Sequence, residues 1–178
     1  MDAALAVRRA LGPIGQELSA DAVKVSPPAA EQLRLQPMTI AHYAGAYALW
    51  ERTEGLALSG ADSLEAIASY LERNPGMSFV CLSGSRVVGT SMCGHDGRRG
   101  YLYHLAVDAE HRGRGIGRQL AERSLAALGE AGIERCHLMV LEDNESGVAF
   151  WSRSGWTRRS GILLFSKDPS GLAVPESG

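Results

Sequence analysis

The chain carries two hydrophobic periods, and together they predict a mixed set of strands and helices. Segments that alternate apolar and polar residues, or that are apolar throughout, predict strands at 33–37, 77–82, 86–93, 101–107 and 136–141. Segments with apolar residues three and four positions apart predict helices at 39–50, 63–73, 115–128 and 144–154. Two further short strands are expected within 156–167, on either side of Ser160 and Gly161.

The order of these elements predicts the topology. Short turns separate the three strands between 77 and 107, so these strands form an antiparallel meander. The strand, loop, helix and strand from 101 to 141 form a crossover unit, which requires one parallel pair. We therefore expect one α/β domain of the mixed, α+β type at 33–167, with a loosely ordered extension at 1–32 and a tail at 168–178.

Composition and charge exclude several classes of partner. The chain has 18 Lys and Arg against 20 Asp and Glu, and a net charge of -2 gives no bulk attraction to nucleic acid. The three cysteines lie in apolar segments and suit reduced core residues, and no second ligand pair follows Cys93 and His95, so we expect no metal. No apolar run reaches the roughly eighteen residues of a membrane span. The N-terminus also lacks the apolar core of a secretory signal, so we expect a cytoplasmic protein.

One loop combines the features that bind phosphate. Between the strand at 101–107 and the following helix lies Arg112-Gly113-Arg114-Gly115-Ile116-Gly117, with Arg118 next. Glycine lets an anion approach backbone amides, and a helix N-terminus supplies unpaired N–H groups and partial positive charge. We expect a pyrophosphate as the ligand, the alternative being a glycine-rich turn with solvated arginines.

Spacing separates the phosphate-binding families that use such loops. A Walker A loop continues with Lys and Ser or Thr after its last glycine, where this chain has Arg118 and Gln119. A dinucleotide fingerprint needs a third glycine where this chain has Arg118 or Leu120, depending on the register. The spacing that remains is R-x-x-G-x-G, at Arg112, Gly115 and Gly117.

That motif resembles the one in the GNAT superfamily of N-acetyltransferases, where it follows the fourth strand and holds the pyrophosphate of acetyl-CoA. A second block resembles the family's N-x-x-A/G-x-x-F-Y-x-x-x-G-F, at Asn144, Gly147, Phe150-Trp151 and Gly155-Trp156. The resemblance covers about 33–167 and points to bacterial proteins of the ribosomal-protein-acetylating type and uncharacterised relatives. It implies a mostly antiparallel twisted sheet of about seven strands, splayed between strands 4 and 5, with about four helices.

The resemblance also assigns residues to acetyl-CoA. The residues that would hold its pyrophosphate are Arg112, Gly113, Arg114, Gly115, Ile116, Gly117 and Arg118. Backbone groups of Leu105, Ala106 and Val107 would pair with the pantetheine arm, and one of these amides would bind the thioester oxygen. Asn144 and Trp151 would flank that arm, although Asn144 also fits a helix N-cap and Trp151 a packing residue.

Two positions differ from the catalytic groups common in the family. Trp151 stands where a tyrosine is common, and an indole is no usable acid, so solvent or Ser152 would protonate the leaving thiolate. The positions of the usual base on the fourth strand hold Tyr101 and Tyr103, which would hold a water that takes the amine proton. His104 is expected on the opposite face of that strand.

These features predict an N-acetyltransferase that uses acetyl-CoA and acts on a primary amine in a ternary complex. The acceptor is a small molecule or a peptide, and the protein is expected to be a monomer or homodimer. The alternative is a non-catalytic acyl-CoA sensor. The turn from His95 to Gly100 is rich in functional groups, so both an acceptor-binding role and a plain Asp-Gly turn fit it.

Overall fold

The computed structural model describes residues 32–169. Residues 1–31 of the predicted extension at 1–32 and most of the tail at 168–178 therefore lie outside the described residues. The strands are β1 (Leu33–Pro37), β2 (Phe79–Ser83), β3 (Arg86–His95), β4 (Gly100–Val107) and β5 (Cys136–His137). The helices are α1 (Tyr43–Glu51), α2 (Leu64–Arg73), α3 (Ile116–Glu130) and α4 (Glu145–Arg153). No helix in residues 32–169 has the length and apolar content needed to cross a membrane.

The strands form one sheet in the order β1-β2-β3-β4-β5. The first four are antiparallel neighbours, and for β2, β3 and β4 this confirms the predicted meander. β5 is parallel to β4 because α3 carries the chain back across the sheet between them. The predicted mixed α/β fold with one parallel pair is confirmed.

Helices cover both faces of this sheet. Val80 of β2 packs with Trp50 of α1 and Ile67 of α2 on one face. Its neighbour Cys81 packs with Leu120 of α3 on the other, because successive strand residues point to opposite sides. We call these the α1 face and the α3 face.

The described residues contain five strands, fewer than the resemblance implied. The strand predicted at 136–141 is paired only at Cys136 and His137, because the chain then diverges from β4. No strand forms within 156–167 either, and Leu163 and Phe165 there are 80% and 87% exposed. A β5 of two residues offers too few backbone groups to template further strands.

Candidate active site

The loop after β4 has the backbone geometry of an anion site. A short 3-10 turn at Ala109–His111 follows β4, and Gly113 and Gly115 then adopt left-handed conformations with φ of 76° and 77°. Gly115 is the N-cap of α3, so no side chain caps this helix, and its first turn has no acidic residue. The amides at the start of a fifteen-residue helix therefore keep their capacity to bind a negative charge.

The arginines of this loop are held by different partners. Arg112 donates from Nε to the Val107 carbonyl at 3.2 Å, and Arg114 donates from Nη2 to the Glu110 carbonyl at 3.3 Å. The Arg112 bond uses a carbonyl group, which leaves the positive charge of Arg112 uncompensated by that contact. Arg118 instead bonds to the Glu122 carboxylate at 2.7 Å, and this bond raises the pKa of Arg118.

A groove of about 1060 Å³ opens where β4 and β5 separate. The two strands pair only through Gly100 with Cys136 and Tyr101 with His137, and beyond these pairs they diverge. The open edge of β4 forms one wall, and residues 138–142 form the other. The groove runs from the glycine loop to the segment between α1 and α2, where it is lined by Thr53, Glu54, Gly55, Leu56 and Ala57.

The start of α4 closes one side of this groove. Asn144 is the N-cap of α4, and its Oδ1 accepts from the Gly147 amide at 2.8 Å. A Cβ on Gly55 would lie 2.3 Å from Nδ2 of Asn144, so only glycine allows the loop after α1 to approach α4 this closely. Further along α4, Trp151 lines the groove and makes edge contacts with Phe150 and Trp156.

Comparison with known proteins identifies this arrangement. The profile of the acetyltransferase (GNAT) family matches residues 43–156. The chain belongs to this family. An acetyltransferase of Photorhabdus laumondii is 36% identical over 120 residues, covering 67% of this chain and 83% of that protein. An acetyltransferase of Sodalis glossinidius is 32% identical over 119 residues, with the same 67% and 83% coverage.

Solved structures share the fold of this GNAT protein. The aminoglycoside N-acetyltransferase AAC(6')-Iy in complex with CoA superposes with a TM-score of 0.61 at 14% identity, over 79% of this chain and 98% of that chain. Glucosamine-6-phosphate N-acetyltransferase from Arabidopsis thaliana gives 0.57 at 18% identity, over 78% and 99%. The family and its named relatives make this chain an acetyl-CoA-dependent N-acetyltransferase with acetyl-CoA as co-substrate.

The residues present in the GNAT site fit acetyl-CoA. An anion can approach the loop amides, because no other atom lies within 4 Å of a Cβ built on Gly113. A Cβ on Gly117 would make ordinary van der Waals contact with Phe150 at 3.4 Å, so α4 lies beside the loop. The predicted cofactor residues that line the groove are Leu105, Val107, Arg112, Gly113, Gly115, Ile116, Gly117, Arg118, Asn144 and Trp151. Ala106 is buried on the α1 face, and Arg114 is not part of the lining.

β4 contains a bulge beside the groove. Tyr103 pairs with Met92 and Ala106 with Thr90, so His104 and Leu105 together oppose a single residue of β3. Among the described residues with a side chain, only His104 has a positive φ, at 45°. The bulge lies beyond the point where β4 has separated from β5, so backbone groups on this edge of β4 are available to a ligand.

Two buried side chains hold the bulge in place. Trp50 donates from Nε1 to the Thr90 hydroxyl at 2.9 Å, and that hydroxyl donates to the His104 carbonyl at 2.8 Å. Trp50 and Thr90 are both fully buried. Because an unpaired buried polar group is costly, this chain of bonds fixes the carbonyl of His104 and with it the following amide of Leu105.

The structure corrects the expected direction of His104. Simple alternation puts His104 on the face opposite Tyr103, but the bulge interrupts the alternation and both side chains lie on the α1 face. The His104 ring contacts Trp50 at a tilt of 42°, with ring centroids 4.7 Å apart, and its Nε2 lies 2.5 Å from Oδ1 of Asp62. Sequence reasoning missed this pair, since no residue type marks the bulge and Asp62 lies 42 positions earlier.

The two tyrosines considered as a proton path lie next to each other on β4. Their rings stack at 6.2 Å, and Tyr103 lines the groove while Tyr101 faces His137 instead. Burial raises the pKa of Tyr103, with a further contribution from Tyr101. Tyr103 is therefore protonated at neutral pH and suits holding a water molecule better than accepting a proton.

Three groups near the loop have ligand atoms close enough for a metal ion, but they are already engaged. Asp108, Glu110 and His111 bring these atoms within 4.8 Å of one another. Oδ2 of Asp108 pairs with Arg52 at 2.9 Å, and its Oδ1 caps the 3-10 turn through the Glu110 amide. These bonds account for the arrangement of the three residues without an ion.

Two other candidates from the sequence lie away from the groove. In the turn before β4, Oδ1 of Asp96 accepts from the amides of Arg98 and Arg99, and Nδ1 of His95 accepts from the Gly97 amide. These bonds explain the polar residues as turn-forming groups. Ser152 donates its hydroxyl to the Val148 carbonyl at 2.8 Å and is absent from the groove lining, so solvent is the better proton source for the leaving thiolate.

Proposed function

We propose that this enzyme transfers the acetyl group of acetyl-CoA to the primary amine of a small molecule or peptide by direct attack within a ternary complex. The observation that carries this proposal is the continuity of the groove. It joins the glycine loop, the separated edges of β4 and β5, and the loop after α1 in a single space. Two substrates therefore have room to meet at the bulge of β4, and no covalent enzyme intermediate is needed.

Each wall of the groove has a separate task in this proposal. The amides from Gly113 to Gly117, with Arg112, bind the pyrophosphate. Backbone groups of Leu105 and its neighbours pair with the pantetheine arm, and the Leu105 amide acts as the oxyanion donor. Acetyl-CoA supplies the activated thioester carbonyl. Trp151 forms a wall of the channel and takes no part in proton transfer, because an indole does not ionise in the useful range.

The amine enters on the α1 face in this proposal. Tyr103 and His104 point to this face, and the loop after α1 contributes Glu54 to the groove lining. A carboxylate at the mouth of the groove favours a cationic acceptor, and a protonated amine is one. Tyr103 would hold the water that links the amine to solvent, and the ring of Tyr101 stacks on that of Tyr103. We expect residues 33–167 to carry the activity, in the cytoplasm, as a monomer or homodimer.

A screen for thiol release tests the proposal. Acetyl-CoA is mixed with a panel of primary amines, and free CoA is measured with a thiol reagent. Amino sugars belong in the panel because two similar folds are named for such substrates. Peptides with free N-termini, polyamines and lysine peptides complete it. Stimulated release with one class supports the proposal and names the acceptor.

The second candidate is a non-catalytic acyl-CoA sensor, which Trp151 favours because it replaces the common tyrosine acid. Titration calorimetry with acetyl-CoA, read together with the thiol-release screen, separates the two functions. A sensor binds acetyl-CoA and releases no thiol with any amine, whereas the enzyme turns over. Binding without turnover across all four amine classes would therefore contradict the proposed transfer to these amines and favour the sensor.

A further inference from the structure

We propose that His104 is the catalytic base that takes the proton from the acceptor amine, and that Asp62 is the positioning residue that sets its tautomer. This inference rests on the proposed transferase function and deepens it. The two residues come from distant parts of the chain, the bulge of β4 and the 3-10 turn at Gly60–Asp62 between α1 and α2.

The bulge gives His104 a position that a regular strand would not. With φ at 45°, the ring turns to the α1 face beside Tyr103, where it lines the groove. The following residue is Leu105, whose amide is the proposed oxyanion donor. The proton acceptor and the group that stabilises the reacting carbonyl are thus adjacent residues, with Cα atoms about 3.8 Å apart.

The contacts of Asp62 define which ring nitrogen carries the proton. Oδ2 of Asp62 accepts from the Ser59 amide at 2.8 Å, and Oδ1 lies 2.5 Å from Nε2 of His104. A carboxylate accepts hydrogen bonds, so Nε2 must be the protonated nitrogen. In the neutral ring, Nδ1 then carries the free lone pair, which is the form that a base requires.

Nδ1 is also accessible. It makes no hydrogen bond to any of residues 32–169. The only buried side-chain polar atom without a partner in this part of the chain is Oη of Tyr70, so Nδ1 of His104 is not sealed from solvent. The side chain of His104 is 16% exposed, and that of Asp62 is 8% exposed. The ring therefore has an anchored side and an open side, as a base with an orienting carboxylate does.

The proton balance of the step is simple. The nitrogen of the neutral amine forms a bond to the acetyl carbon as the carbon–sulfur bond breaks. The proton that leaves this nitrogen goes to Nδ1 of His104, directly or through the water held by Tyr103, and then to solvent. The sulfur departs as the thiolate of CoA and takes a proton from solvent.

The first test needs no acceptor and measures the protonation of the two ring nitrogens of His104 directly. Proton–nitrogen correlation spectra of ¹⁵N-histidine-labelled protein show which ring nitrogen of His104 is protonated. We expect the Nε2–H tautomer. In Asp62→Asn the amide oxygen takes over the bond from Ser59, and its NH₂ group then donates to Nε2, so we expect the ring proton to move to Nδ1. A wild-type Nδ1–H tautomer, or spectra unchanged by Asp62→Asn, would overturn the assignment.

The second test uses the amine that the screen identifies. His104→Asn is the suitable variant because asparagine tolerates a positive φ. We expect a hundredfold to ten-thousandfold loss of kcat, with acetyl-CoA affinity within about threefold of wild type. Asp62→Asn should lose at least about a hundredfold. His95→Gln, in the turn before β4, is the matched control and should keep full turnover.

The outcomes distinguish this inference from the proposed function. When wild type turns over an amine and folded His104→Asn keeps its rate, His104 is not the base, although the transferase stands. When no amine is acetylated, the proposed function fails, and with it the role of His104 as a base. The nitrogen correlation spectra then still test whether Asp62 sets the tautomer of His104. A circular dichroism spectrum and an unfolding curve establish the fold of each variant, and His104→Gly replaces His104→Asn if the latter does not fold.

Discussion

Replacing Gly115 by alanine tests the anion site with a control that the fold itself provides. Gly115 has φ of 77°, and a Cβ there would meet only the end of the flexible Gln119 side chain, at 3.7 Å. Gly132, in the turn after α3, has φ of 76° and no other atom within 4 Å of its Cβ position. The two variants therefore impose the same backbone strain, but only one of them lies at the loop.

The expected magnitudes follow from these positions. Each variant should lose about 1 to 2 kcal/mol of unfolding free energy, because the left-handed conformation crowds a Cβ. Gly115→Ala should also lose at least one charge-assisted hydrogen bond to the pyrophosphate, about 1.5 to 3 kcal/mol. That loss corresponds to a roughly tenfold to hundredfold higher Kd for acetyl-CoA. Gly132→Ala should bind as wild type does.

Urea unfolding measures the first quantity and titration calorimetry with acetyl-CoA the second. Gly115→Val, with its β-branched side chain, should bind no acetyl-CoA while remaining folded. Equal affinity in Gly115→Ala and Gly132→Ala would show that the loop amides do not hold the pyrophosphate. A loss of affinity in both would mean that backbone strain reaches the site by another route.

The remaining predictions concern side chains around the groove and core. Trp151→Phe should keep most of kcat in steady-state assays, since the wall stays aromatic, and a hundredfold loss would contradict this role. Tyr70→Phe should raise the unfolding free energy in urea by about 1 kcal/mol, because Oη is buried without a partner in residues 32–169; destabilisation would contradict this. Burial is the largest single influence and raises the pKa of Asp108, but the hydrogen bonds from Arg52, His111 and the Glu110 amide together outweigh it and hold that pKa below its ordinary value. A lowered pKa stabilises the fold above the unfolded value, and this contribution is lost as pH falls through the folded value. Arg52→Gln should therefore be less stable than wild type at neutral pH and should lose less stability in urea unfolding between about pH 5 and about pH 2; an unchanged acid profile would contradict this.

Local chemistry made the glycine loop predictable from the sequence. The type of each residue in Arg112 to Gly117 has a direct physical consequence, and the flanking strand and helix follow from hydrophobic periods. The cap at Asn144 was predictable in the same way, because an asparagine before an amphipathic segment accepts from the helix amides. The structure contains the glycine loop and the Asn144 cap at the positions that the sequence pattern predicts.

Features that depend on pairing between distant segments were not predictable. An apolar segment at 136–141 has the composition of a strand, but whether it pairs depends on how far β4 stays beside it. The bulge at His104 depends on the buried bonds from Trp50 through Thr90 rather than on any local signal. The regular alternation of side chains along a strand therefore assigned His104 to the wrong face. One extra residue in β4 moves every side chain beyond it to the opposite face of the sheet.

The site arises from two interruptions of the same sheet, the separation of β4 from β5 and the bulge in β4. A regular β4 paired along its whole length with β5 would satisfy its own backbone groups and leave nothing for a ligand to bind. Separation of the strands after Tyr101 frees that edge. The bulge at His104 and Leu105 then directs one amide and one imidazole toward the opened space. His104 keeps its strained backbone conformation, with φ of 45°, because the Thr90 hydroxyl donates to its carbonyl and Asp62 contacts its ring. Loss of either contact would let the bulge relax, so binding of the thioester arm and placement of the base depend on the same few hydrogen bonds.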